Sequence, residues 1–298
     1  MPYRMLSKIQ SYKIPFAVKL ILKILISILI IFIIVKNVDI TKMLALVLHS
    51  NYIFIAIACF LFILSKIISA VRFKIFLQIE SIQLNTLENL KLYWLGMYYN
   101  LLLPGGISGD AYKIKVLFQN FNKDLKVLVK LTLLDRFSGL WALGQIALGF
   151  LLLLNPFDSY YWFIVLLLLA SFALPWYLNL YFRWINSRYY GKLNLISLGV
   201  QLLQTGSAIC LIVSMGQQSY WISYSFLFLI SSVAAMMPFT FGGAGARELT
   251  FLYGSQFLQT ELEKAVAIGF LFYLISTFVS FFGILYSFKP IKFSNINK

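Results

Sequence analysis

Acidic side chains are scarce in this chain. Ten Asp and Glu stand against 25 Lys and Arg, for a formal net charge of +15 at pH 7. Histidine is rarer still, with His49 alone. It lies far from the glycine-rich stretches described below, so a Ser/His/Asp arrangement has no base to use, and no His-rich metal site exists. The two cysteines, Cys59 and Cys210, sit inside apolar runs with neither metal spacing nor a disulfide framework. They read as small core residues. Charge of either sign is thin, at 12% of residues, where a soluble domain carries roughly 25%. No long polar block is present in which a soluble domain could hide. No Walker motif is present either, so no nucleotide, metal or other cofactor is expected. The first acidic position is Asp39, so an acidic pair in the first external loop, as a polyprenyl-sugar transferase would use, is missing.

What is there instead is hydrophobicity: 61% of residues are apolar and the mean hydropathy is +0.85. The fold class expected is an all-α polytopic integral membrane protein. The basic excess could suggest nucleic acid, but Lys and Arg cluster at the ends of apolar runs, as the positive-inside bias requires. No basic stripe interleaved with aromatics occurs, so membrane lipid is the expected partner and nucleic acid is not.

Apolar runs of about 20 residues mark spans. The first is expected at about 17–35, retained rather than cleaved because it exceeds a signal-peptide core and no small-residue cleavage site follows. Residues 36–42 read as a short loop. Further spans are expected at about 52–71, ending at Arg72 and Lys74, and at 127–154, 160–182, 194–215, 220–237 and 265–288. Residues 72–90 read as a cytoplasmic loop. The basic residues place both termini in the cytoplasm, with a tail at 1–15, another at 289–298, and a single transmembrane domain filling 1–298. About seven or eight passes result.

Two stretches break this pattern. Asn100-Leu-Leu-Leu-Pro104-Gly105-Gly106-Ile-Ser-Gly109-Asp110-Ala-Tyr-Lys113 and Pro238-Phe-Thr-Phe-Gly242-Gly243-Ala-Gly245-Ala-Arg247-Glu248 both carry proline, glycine and charge among apolar runs. Irregular backbone at membrane depth survives only where protein or a water-filled cavity surrounds it. Both are therefore expected to be broken, re-entrant segments lining a site. The breaks lie about 135 residues apart, near half the chain. Duplicated halves meeting at discontinuous helices are one reading, and two unrelated glycine-rich turns are the other.

The glycines at 105, 106 and 109 could present backbone N–H groups to an anion at a helix start, with Lys113 nearby. Alternatively, Asp110 caps the helix and the glycines only permit close packing. Asp135 and Arg136 lie well inside a span, where a charge needs an interior partner. Adjacent residues on a helix face different ways, so each is expected to pair elsewhere. Asp110, Asp135 and Glu248 balance Lys113, Arg136 and Arg247, three against three, as a buried network requires.

Taken together, the Asn100–Lys113 pattern, the Asp135-Arg136 pair and the Pro238–Glu248 pattern resemble the lysylphosphatidylglycerol synthase transmembrane family. That is the flippase-like membrane region of the multiple peptide resistance factor and its stand-alone relatives in bacteria and archaea. The resemblance spans about residues 15–288. It implies a helical domain in a prokaryotic inner membrane, with re-entrant segments around a cavity open to lipid and lined by the residues of these three motifs. The soluble aminoacyl-transferase domain of the resistance factor has no counterpart in these residues. The function the resemblance implies is therefore translocation of an anionic phospholipid or a polyprenyl- or glycolipid, rather than catalysis. The alternatives are a membrane enzyme, or an accessory subunit that holds a glycosyltransferase or lipid-modifying enzyme at the membrane. No catalytic residue is assigned.

Overall fold

A computed structural model describes residues 36–102, 107–182, 187–216, 219–236, 246–288, 291 and 293–294. The span expected at 17–35, the tail at 1–15 and most of 289–298 lie outside the described residues. So do Pro104, Gly105, Gly106, Pro238, Gly242, Gly243 and Gly245.

Among the described residues the chain is helical throughout, with no strand. It begins with α1 (Ile40–Leu48), where Asp39 caps the start by accepting from the Lys42 amide at 3.0 Å. The expected loop at 36–42 is thus partly helix, because Asp39 supplies an N-cap that the charge pattern hid. Helix α2 (Tyr52–Ile79) starts at Asn51, whose side chain accepts from Ile53 N. It runs eight residues past the expected end at Val71. The loop expected at 72–90 shrinks to the turn before α3 (Thr86–Leu102), with Ser81 at φ 61° reversing the chain. Arg72 and Lys74 looked like a helix terminus, but neither breaks a helix. Arg72 is buried rather than interfacial.

There follow α4 (Ser108–Asn120), α5 (Leu125–Leu151), a 3-10 turn at Asn155–Tyr160 and α6 (Tyr161–Phe182). Then come α7 (Ser187–Ser214), α8 (Trp221–Ala235) and α9 (Ala246–Phe257). The last helix, α10 (Leu262–Phe281), continues through a 3-10 turn into α11 (Leu285–Phe288). Among the described residues, three stretches are long and apolar enough to cross a membrane: Tyr52–Ile79, Tyr189–Ser214 and Leu262–Phe288. Phe157–Ala173 and Trp221–Ala235 are shorter apolar helices.

Helices α2 and α7 pack antiparallel along their length. Ser207 Oγ donates to Ala58 O at 2.8 Å, Leu61 lies against Gly206, and Arg72 reaches Ser197 Oγ at 3.1 Å. Helix α5 leans on this pair through Gln201 Nε2 donating to Gly139 O at 3.0 Å.

Two antiparallel helix pairs complete the scaffold. In the first, α3 and α4 meet so closely that a Cβ on Gly109 would stand 1.8 Å from the Gly96 carbonyl oxygen. Tyr99 stacks on Tyr112 with ring centroids 3.9 Å apart, and Gly109 N donates to Asn100 Oδ1 at 2.8 Å. In the second, α8 and α9 approach at Gly254 and Leu227, and Arg247 reaches Ser232 Oγ at 3.3 Å.

The apolar core is split. One cluster gathers Phe62, Phe228, Phe251 and Phe272. Another gathers Phe73, Phe76, Leu92, Leu117, Leu128 and Phe293. Helix α2 feeds both, with Phe62 in one and Phe73 in the other. The residues between them on the same helix include Lys66 and Ser69, with Arg72 just before Phe73.

Candidate functional site

Between the two apolar clusters lies a cavity of about 310 Å³. That is at the lower end of the ~300–1,000 Å³ typical of small-molecule sites. Its walls come from α2, α3, α4, α5, α7, α8 and α9. Its charged lining is Lys66, Arg72, Asp110, Lys113, Asp135, Arg136 and Arg247. Tyr93, Asn100, Gln201, Gln204 and Ser232 add uncharged polar groups.

The charges form two ion-paired units. Arg72 Nε donates to Asp135 Oδ1 at 2.8 Å, joining α2 to α5. Asp110 accepts from Lys113 Nζ at 2.7 Å, one turn along its own helix, and from Arg136 Nε on α5. Arg72, Asp110, Lys113 and Asp135 are each no more than 6% exposed. A buried charge at such a position must have a partner, since desolvation is otherwise prohibitive. The adjacent residues Asp135 and Arg136 thus point to different helices, as helix geometry requires.

The glycines make room for these side chains. A Cβ on Gly96 would stand 2.9 Å from Lys113 Cδ, and one on Gly139 would stand 3.2 Å from Arg72 NH1. Gly109 serves packing, and its N–H is already taken by Asn100. The expectation that this amide faces an anion is therefore corrected. Nor does Asp110 cap α4: it lies within the first turn with its carboxylate turned to Lys113 and Arg136.

Aromatic rings hold the remaining cations. Lys113 Nζ lies 4.3 Å above the Phe73 ring and 5.1 Å from that of Tyr93. Lys66 Nζ lies 4.6 Å above Phe62. The Arg247 guanidinium lies 4.9 Å from the Phe272 ring and 5.4 Å from that of Phe228. A ring face attracts a cation without neutralising it. Among the described residues, neither Lys66 nor Arg247 makes an ion pair.

Of the expected site residues, Asn100, Asp110, Lys113, Asp135, Arg136 and Arg247 come together on one cavity. Gly109 does not line it but packs against Gly96 and Asn100, which do, and Glu248, next to Arg247, does not line it. The three-against-three balance is corrected: two carboxylates face five cations, because Lys66 and Arg72 enter the site and Glu248 stays out. The signal for both missed residues lay in helical spacing. Ser65, Lys66, Ser69 and Arg72 recur at three- and four-residue intervals, a polar stripe on an otherwise apolar helix.

The family model described as "Lysylphosphatidylglycerol synthase TM region" matches residues 20–283. No curated protein matches the chain. The match covers most of the 298 residues, and the chain belongs to this family. It is a multi-pass membrane protein, and its family ties it to lipid metabolism.

Proposed function

We propose that this member of the lysylphosphatidylglycerol synthase TM region family moves a lipid with an anionic headgroup between membrane leaflets, the headgroup lodging in the cavity. One observation carries the reading: charged side chains from α2, α4, α5 and α9 converge on one space between two apolar clusters. Ionisable residues inside a membrane are costly and mark a path for a polar substrate. A headgroup crossing hydrocarbon needs polar partners on the way, since an unpaired polar group there costs several kcal/mol.

The two hairpins supply the moving parts. At 13 and 12 residues, α4 and α9 are about 20 Å and 18 Å long, too short to span a ~30 Å hydrocarbon core. Each follows a Pro-Gly break and each sends a cation into the cavity, Lys113 from one and Arg247 from the other. This correspondence supports the duplicated-half reading and a re-entrant placement of both hairpins. With them the chain makes seven or eight passes, both termini on the cytoplasmic side of a prokaryotic inner membrane.

A photoreactive side chain placed at Gln204, which lines the cavity, tests the placement. In vesicles containing a headgroup-tagged anionic phospholipid, Gln204 should crosslink to the tagged headgroup. Phe163, exposed on α6, serves as the control. Headgroup labelling at Phe163 and none at Gln204 would place the lipid outside the cavity and sink the reading.

A further inference from the structure

The cavity is not electrically neutral, and the imbalance is intrinsic to the chain. Five cations, Lys66, Arg72, Lys113, Arg136 and Arg247, face two carboxylates, Asp110 and Asp135. The segments outside the described residues contain no Asp or Glu at all. Every acidic residue is therefore placed. Glu88 is engaged elsewhere, with Asn85 and Ser294. Glu261 pairs with Lys264 and Glu263 with Lys42. Even if Glu248 is counted beside Arg247, cations outnumber carboxylates by two. Asp39, Glu80, Asp124 and Asp158 do not line the cavity either, so no carboxylate in its walls supplies the missing anions.

From this we infer that the ligand of the cavity is a lipid phosphate bearing at least two negative charges, a phosphomonoester or a diphosphate, rather than a phosphodiester or an aminoacylated headgroup. The inference rests on the translocation reading only for its lipid character. The charge class follows from the lining alone. A phosphomonoester carries about −1.5 to −2 at pH 7, with a second pKa near 6. A phosphodiester carries one charge, and an aminoacylated headgroup brings ammonium groups toward Lys66 and Arg247, where like charges repel. Geometry agrees with charge. Lys66 and Arg247 are held by ring faces and not by carboxylates, and Arg247 spends one donor on Ser232 Oγ, which leaves its other N–H groups and the Lys66 ammonium able to turn to an incoming oxyanion, while Arg72 and Lys113 are anchored by their carboxylates. Such charge-assisted contacts to phosphate oxygens are the strong ones.

The experiment compares three lipids of identical acyl chains on the purified full-length chain in neutral phosphatidylcholine nanodiscs. They are phosphatidic acid, phosphatidylglycerol and lysyl-phosphatidylglycerol, with bound lipid counted by native mass spectrometry. Phosphatidic acid should bind roughly tenfold tighter than phosphatidylglycerol at pH 7.5, and the lysyl lipid weakest. The preference should shrink at about pH 5, where the monoester is singly charged. It should also shrink toward unity in the K66Q/R247Q double variant. Equal binding of the first two lipids, or preference for the lysyl lipid, overturns the inference. Inorganic pyrophosphate forms a further arm: displacement of bound phosphatidic acid from the nanodiscs by pyrophosphate at concentrations matching the lipid would make the ligand a soluble polyanion and overturn the lipid assignment. Failure of lipid movement with the preference intact would refute translocation alone. Movement of phosphatidylglycerol without the preference would refute only the charge class.

Discussion

Arg72 and Asp135 are 63 residues apart in sequence and close a 2.8 Å ion pair between α2 and α5. Both are buried, and the guanidinium also reaches Ser197 on α7, so one side chain ties three helices together.

Removing one member of this pair strands the other. Asp135→Asn should destabilise the protein by about 3–5 kcal/mol, the cost of an uncompensated buried charge. The thermal midpoint in detergent measures it. The Arg72→Gln/Asp135→Asn double variant should recover part of the loss, because neither charge is then stranded. A double variant less stable than either single one would show that the pairing is not what the charges contribute.

Gly109 should tolerate no side chain. A Cβ there would stand 1.8 Å from the Gly96 carbonyl oxygen, backbone against backbone, with no flexible atom to yield. Gly109→Ala should separate α3 from α4 and lower expression and thermal midpoint sharply. Gly144 on α5 has nothing within 4 Å of its Cβ position. Gly144→Ala should be neutral or stabilise by up to about 1 kcal/mol through helix propensity. Equal effects at the two sites would contradict the close hairpin.

Much of this arrangement is legible in the sequence. The apolar runs at 52–71, 127–154, 160–182, 194–215, 220–237 and 265–288 each contain the body of a helix, because long apolar runs carry a strong signal. Asp110, Lys113, Asp135, Arg136 and Arg247 stand out because charge is conspicuous among apolar residues. Lys66 and Arg72 are harder to see. Arg72 is followed by Lys74, and a pair of bases after an apolar run looks like an interfacial end. The spacing of Ser65, Ser69 and Arg72 along one face says otherwise. Partners are not legible either, since the ion pairs join helices through tertiary packing that no local pattern encodes. The role of Gly109 depends on Gly96, 13 residues away on another helix. Its N–H looks free in the sequence, whereas the fold sets Asn100 beside it as acceptor.

Glu88, at the start of α3 and outside the spans, ties down the C-terminal region. Its Oε1 accepts from Ser294 N at 2.7 Å and Ser294 Oγ at 2.8 Å, and Oε2 accepts from Asn85 N at 2.9 Å. Burial alone would raise its pKa, but these three donors together outweigh it and hold the carboxyl below the usual range. A depressed folded pKa means the contribution is present above the unfolded value and is lost as pH falls through the folded one. Proteolysis of the tail near Ser294 should therefore stay slow through neutral pH and quicken only below the ordinary carboxylate range. Glu88→Gln should give fast cleavage with little pH dependence. A variant cut as slowly as the parent at neutral pH would show that the tether lies elsewhere.

Lys66 and Arg247 offer the cleanest separation of function from folding. Neither makes an ion pair among the described residues, so their neutralisation strands no buried charge. Lys66→Gln and Arg247→Gln should each keep the stability, followed by the thermal midpoint, within about 1 kcal/mol of the parent, allowing for the modest loss of ring contacts. A collapse of stability in either would mean that the residue is structural.

The most direct measurement is leaflet exposure in vesicles reconstituted with the full chain. The outer leaflet carries a fluorescent phosphatidic acid whose signal is quenched on that side only. The parent protein should move the lipid inward well above protein-free vesicles, and the folded Lys66→Gln/Arg247→Gln variant should fall to the protein-free rate. Movement at the parent rate by that folded variant, or none by the folded parent, would contradict a translocation path through this cavity.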